Sequence, residues 1–179
     1  MQPPREGPID PAAFAGLVEE YADRLYSLAV RITGSAEDAR DAVQDTFLSA
    51  YRQRAQFRAE ADLGTWLYRI AVNAALQRVR ARRPVEYLDD TGYDRTHIVD
   101  WSDDLARRAE IGELRLIIEQ GIARLPDEAR VALVLRDVEG LSTAEAADIL
   151  EISETALKSR LHRARVLLRQ YLADYLEDR

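Results

Sequence analysis

Two groups of side chains in this sequence could do chemistry on a polyanion. The first lies on Thr65–Ala81, where Trp66, Ile70, Asn73, Gln77 and Arg80 recur on one side of a helical period with Arg69 beside them. The opposite side carries Leu67, Tyr68, Ala71, Val72, Ala75, Leu76 and Val79, a stripe suited to a core. An exposed tryptophan among amides and arginines can stack on unpaired bases and read their edges. The second group follows Ser153. Leu157, Leu161, Ala164, Leu168 and Leu172 make the apolar stripe, and Thr155, Ser159, His162 and Val166 face away from it, with Lys158 and Arg163 at the edges and Arg165 in the same basic run. Arginine suits guanine edges, whereas lysine, serine and backbone amides suit phosphates. A short capped helix and a tight turn before this segment complete a helix-turn-helix pattern, whose second helix enters the major groove.

The elements that must position these groups are helical. Phe14, Leu17, Val18, Tyr21, Leu25, Leu28 and Ile32 follow helical spacing up to Gly34. Ser35 with Asp38 resembles a capping box and opens a second helix to about Arg54, whose apolar side is Ala36, Ala39, Val43, Thr46, Phe47 and Ala50. Its other side carries Asp41, Gln44, Asp45, Leu48 and Arg52, where a leucine is out of place unless something covers it. Thr65 is the expected cap of the third helix, and Pro84 its end. Ser102 starts a further helix to about Leu125, Pro126 and two acids open the next, and Gly140 closes it. Ser142 and Glu145 form another capping box, and Ser153 caps the last helix. No strand-period run appears. The expected fold is all-α, in two small helical domains at 10–83 and 103–176 joined by a flexible acidic linker at 84–102.

Composition narrows the function further. The 179 residues are 47% apolar, enough to fill a core, and 32% charged, with a net charge of −7. Residues 84–112 carry three basic and eight acidic groups, so the acidity is concentrated between two basic knots, Arg78, Arg80, Arg82 and Arg83 on one side and Lys158, Arg160, Arg163, Arg165 and Arg169 on the other. There is no cysteine, which excludes disulfides, thiol catalysis and Cys-ligated metals. The two histidines, His97 and His162, lie in unlike segments and offer neither a metal site nor a triad. No catalytic residue, metal or cofactor is expected. No apolar run approaches the roughly 20 residues of a membrane span, so a cytoplasmic chain without membrane insertion is expected.

The sequence resembles a bacterial extracytoplasmic-function sigma factor of RNA polymerase, the small type of the sigma-70 family with regions 2 and 4. DARDAVQDTFLSAY (38–51) resembles the segment that docks on the polymerase core, TWLYRIAVN (65–73) the part that melts and reads the minus-10 element, and LPDEARVALVLRDVEGLS (125–142) with LKSRLHRAR (157–165) the helices that read the minus-35 element. The resemblance implies core binding by Asp41, Gln44, Asp45, Thr46 and Leu48. It implies that Phe57, Ala61, Leu63, Trp66 and Asn73 hold an extruded minus-10 base, that Arg78, Arg80, Arg82 and Arg83 hold nearby phosphates, and that Lys158, Ser159, His162 and Arg163 contact the minus-35 duplex. Polymerase core, promoter DNA and a dedicated anti-sigma factor are the implied partners. Where the family usually has glycine, this chain has Glu151 in the turn and Thr155 at the start of the recognition helix, and Ala156 replaces a usual threonine, so a different turn geometry is expected there. Two other functions fit parts of the sequence. A dimeric helix-turn-helix regulator would explain 113–179 but leave Trp66, Asn73 and Leu48 without a task. A di-iron helical enzyme needs Glu-x-x-His pairs, which the sequence does not contain.

Overall fold

A computed structural model describes residues 9–55, 57, 62–82 and 113–177, which contain seven helices and no strand. Helices α1 (Pro11–Thr33), α2 (Ala36–Gln53) and α3 (Leu63–Ala81) pack against one another as a first unit. Helices α4 (Glu113–Ala123), α5 (Asp127–Leu133), α6 (Thr143–Ile149) and α7 (Glu154–Glu177) form the second, with α5, α4 and α6 all seated on α7. The proposed linker and the stretch 102–112, where the sequence predicts the start of a helix, lie outside the described residues.

The helix ends follow local chemistry. Gly34 and Gly140 take left-handed φ values of 68° and 73°, which release the chain from α1 and from the segment after α5 without the steric penalty a Cβ would bring. At α2 the Ser35 hydroxyl accepts the Asp38 amide at 3.3 Å, half of a capping box, while the Asp38 carboxylate turns instead to Arg82. The full box forms at α6. There Ser142 Oγ accepts the Glu145 amide and the Ser142 amide donates to Glu145 Oε2 at 2.8 Å, so these bonds hold the Glu145 carboxyl below its ordinary pKa. Ser153 Oγ accepts the Ala156 amide at 3.1 Å, as expected of the cap of α7.

Three local expectations change. The cap of α3 is Asp62 rather than Thr65: its carboxylate accepts the Thr65 amide at 3.0 Å, and a carboxylate at a helix N-terminus also meets the helix dipole favourably. Beyond Leu133, α5 continues as a π turn over Val134–Val138, where the Glu139 amide donates to the Val134 carbonyl five residues back at 2.9 Å. And the turn between α6 and α7 keeps its left-handed residue: Glu151 sits at φ 54°. The turn therefore holds a side chain in a conformation where glycine costs nothing, at about 1 kcal/mol or somewhat more.

The first unit is filled by Leu17, Leu25, Leu28, Ile32, Leu67 and Val72, the second by Val131, Leu135, Ile149, Leu157 and Ala164, all 2% exposed or less. The buried apolar side chains of the two units form one connected cluster, with α1 touching α4 and α5 and α3 touching α6. An acidic tether alone predicts two reading surfaces at no fixed spacing. The units instead meet face to face.

Candidate nucleic-acid and polymerase interface

The recognition face on α7 is built by periodicity. Leu157, Leu161 and Ala164 are buried, Leu168 and Leu172 half-buried, and the other side presents Thr155, Lys158, Ser159, His162 and Arg163 to solvent. Ser159 Oγ donates to the Thr155 carbonyl at 3.1 Å, which leaves the hydroxyl oxygen free to accept, and Lys158 lies 3.8 Å from Glu154 in a loose, exposed i,i+4 pair. Arg165 departs from the expected set. Its guanidinium turns back to Asp137 in a two-pronged pair at 2.9 and 2.7 Å, a hydrogen bond and charge that raise its pKa, so it ties α7 to the π turn rather than pointing at a groove.

On α3, Asn73, Gln77 and Arg80 are exposed, as the period predicts. Trp66 is half-buried rather than exposed. Its ring lies 5.0 Å from that of Phe57 at a 48° tilt, and with Leu63 and Ile70 it covers the edge of the core. Phe57 and Trp66 thus form one aromatic wall beside the start of α3, with Ala61 outside the described residues. The basic knot at the end of α3 is paired within the unit: Arg78 donates to Asp41 at 2.9 Å and to Asp45 at 2.5 Å, and Arg82 meets Asp38 at 2.5 Å. The Asp45 hydrogen bond and the nearby carboxylates raise the Arg78 pKa. Held by both carboxylates, this side chain is not the free phosphate ligand the resemblance implies. Arg83 lies outside the described residues. Arg69 reaches across to Asp148 on α6.

On α2, Gln44 is exposed and Leu48 is 47% exposed, with Tyr51 beside it at 41%. Asp41 and Asp45 form the acidic edge that Arg78 spans. Thr46 does not belong to this face: it is fully buried and its hydroxyl donates to the Ala42 carbonyl at 2.6 Å, so it cannot touch a partner. Its place in the apolar period already put it in the core.

A further cluster went unpredicted. Arg31 grips Glu119 with Nε at 3.1 and 3.2 Å and Nη2 at 2.8 Å, lies 3.8 Å from Glu139, and Tyr68 donates its hydroxyl to Glu139 at 2.8 Å. Burial by itself would lower the Arg31 pKa, but the hydrogen bond and charge of Glu119 raise it above the ordinary value. Burial, then the Glu139 bond, push the Tyr68 hydroxyl up as well. The signal in the sequence was Glu119 itself, an acid set among Ile117, Ile118 and Ile122.

Residues 17–85 match the Sigma-70 region 2 family and residues 115–168 the Sigma-70, region 4 family. The chain belongs to the sigma-70 family. It is similar to the ECF RNA polymerase sigma factor SigW of Bacillus subtilis, at 36% identity over 92% of this chain and 91% of that protein. It is 33% identical to the RNA polymerase sigma-H factor of Pseudomonas aeruginosa, over 94% of this chain and 91% of the relative. Among solved structures, CnrH in complex with the cytosolic domain of CnrY superposes with a TM-score of 0.66 at 27% identity, covering 92% of this chain and 90% of that one. The sigma factor RpoE in complex with the anti-sigma factor NepR from Bartonella quintana shares the fold, with a TM-score of 0.69 at 24% identity over 89% and 96% of the two chains. This chain is therefore an extracytoplasmic-function sigma factor, an all-α RNA polymerase factor that acts in promoter recognition. No described helix of this sigma factor is long and apolar enough to cross a membrane.

Proposed function

We propose that this sigma factor divides its work by unit: residues 10–83 bind polymerase core and the minus-10 strand, 84–102 link, and 103–176 read the minus-35 duplex. Core meets α2 through Asp41, Gln44, Asp45 and Leu48. Phe57, Leu63, Trp66, Asn73 and Gln77, with Arg80, take the unpaired minus-10 strand, and Thr155, Lys158, Ser159, His162 and Arg163 take the upstream duplex. The chain works in the cytoplasm without catalysing a reaction of its own, and an anti-sigma protein of the kind named in the neighbouring complexes restrains it. The observation that carries this division is the polar face of α7, five exposed groups able to contact DNA opposite Leu157, Leu161 and Ala164, each 5% exposed or less.

The deciding experiment pairs a gel shift with permanganate reactivity on one promoter fragment, with and without core. A net charge of −7 opposes unaided DNA binding, and unstacking the minus-10 bases needs binding energy that the free chain does not have. Specific binding and strand opening are expected only with core. Tight dimeric binding to intact duplex by the chain alone would instead establish a conventional regulator.

Within that complex, Arg163→Ala is expected to cost about 1–3 kcal/mol and relax preference at one minus-35 position, whereas Lys158→Ala weakens all sequences evenly. Selection from a randomised upstream element, scored for both variants, separates the two. An unchanged preference in the Arg163 variant would assign it to the backbone.

A further inference from the structure

Gly64 lies in the first turn of α3, where a glycine weakens the helix and so needs another reason to be present. It is buried, and the reason is space. A Cβ there would stand 3.0 Å from Asp62 Oδ1, 3.3 Å from the Tyr21 hydroxyl oxygen and 3.6 Å from Tyr21 Cε1. The bare backbone therefore lets Tyr21 of α1 seat directly on the start of α3. Burial, then the carboxylates of Glu20 and Asp62, push the Tyr21 hydroxyl above its ordinary pKa, so it meets the turn as a neutral group. Asp62 completes the clamp. Its carboxylate accepts the Thr65 amide at 3.0 Å and the Thr65 hydroxyl at 3.4 Å, and its carbonyl accepts the Trp66 amide at 3.0 Å. The Thr65 amide is a donor that a helix start leaves without an intrahelical partner, and the Trp66 bond is the first of the helix itself.

The two rings of the aromatic wall flank this clamp in sequence, Phe57 before it and Trp66 after it, and they lie 5.0 Å apart. That spacing holds only while the first turn of α3 stays wound and in its seat. We propose that Asp62, Gly64 and Tyr21 are positioning residues for minus-10 readout: they keep the first turn of α3 wound against α1, and so set the gap in which Phe57, Leu63 and Trp66 receive an extruded base. The inference rests on the minus-10 assignment made above. None of the three positioning residues needs to touch the strand. When the turn frays, Trp66 swings away from Phe57; the strand backbone still meets Arg80, but one base is no longer gripped. The signature is a loss of base discrimination while the affinity for the strand backbone is kept.

The test uses holoenzyme assembled from polymerase core and the full chain. A minus-10 single strand is selected by the wild-type holoenzyme from a randomised pool, and each of its nucleotides is then made abasic in turn. Wild type is expected to lose most affinity at one position, and the ratio of intact to abasic affinity there measures the grip on the base. Asp62→Ala should lower that ratio several-fold, and Asp62→Asn, which keeps a capping oxygen, should restore it. Gly64→Ala should lower it too, and adding Tyr21→Phe, which removes the oxygen at 3.3 Å, should recover it. A chain that is merely less folded binds every strand less well and leaves the ratio alone, so lost stability does not mimic the result. A wild-type holoenzyme indifferent to every abasic position would overturn the minus-10 assignment and this proposal with it. A wild type that discriminates, beside an Asp62→Ala or Gly64→Ala variant that keeps its ratio, would overturn the proposal alone. So would an Asp62→Asn variant that discriminates no better than Asp62→Ala, or a Tyr21→Phe change that recovers nothing.

Discussion

Replacing Leu157 by alanine is expected to lower the stability of the second unit by about 2–5 kcal/mol, the usual range for emptying a fully buried leucine site. Leu157 is 0% exposed, in the first turn of α7, on the helix that carries α4, α5 and α6. The loss has two parts, the transfer of the side chain to water and the contacts its neighbours forfeit around the void. Neither touches the exposed groups of the recognition face. Upstream DNA binding should nevertheless fall, because those groups are aimed by the seat of the helix and not by their own bonds. Urea unfolding followed by helicity, with Leu172→Ala as the half-buried control, reads the effect. A loss below about 1 kcal/mol would show that α7 is seated elsewhere.

Leu48→Asp should weaken binding to polymerase core by about 2 kcal/mol or more, some thirtyfold, while the fold is unaffected. Leu48 is 47% exposed at the centre of an otherwise polar face, and nothing among the described residues covers the exposed part. An apolar side chain so placed stabilises a complex and not the free fold, and a carboxylate in its position must be desolvated on docking. Asp45→Arg should act in the same direction through two routes, since it removes a carboxylate from the face and sets a second cation against Arg78. Fluorescence anisotropy of labelled chain titrated with core measures both variants. Equal affinity for wild type and Leu48→Asp would remove α2 from the interface.

Helices were legible in the sequence because their signals are local. Gly34, Ser142 with Glu145, and Ser153 each act within four residues of themselves, and each behaves as its type predicts. The reading faces were legible for the same reason, since exposure opposite an apolar stripe follows from the helical period. What sequence could not supply was the partner of each long cation. Arg78 finds Asp41 and Asp45 across more than thirty positions, Arg165 finds Asp137, and Arg69 finds Asp148, and in all three the arginine looks free when only its own helix is considered. Thr46 failed differently: the apolar period placed it inside, while the resemblance placed it on a surface, and the period was the better guide. Trp66 shows that an aromatic near a helix start can cover the core edge and still line a site.

The π turn at Val134–Val138 makes chain length, as distinct from composition, a determinant of aim. A π turn is an α-helix with one residue inserted, and each residue turns a helix by about 100°. Deleting one residue between Val134 and Val138 would restore ordinary helical bonding at that point and improve the local geometry. It would also rotate Gly140, Ser142 and the capped helix behind them by that angle, swinging α6 and the recognition helix off their seat. Related chains that differ by a single residue here would therefore point the same side chains at different parts of a groove, and a substitution-by-substitution comparison of their recognition helices would miss the cause.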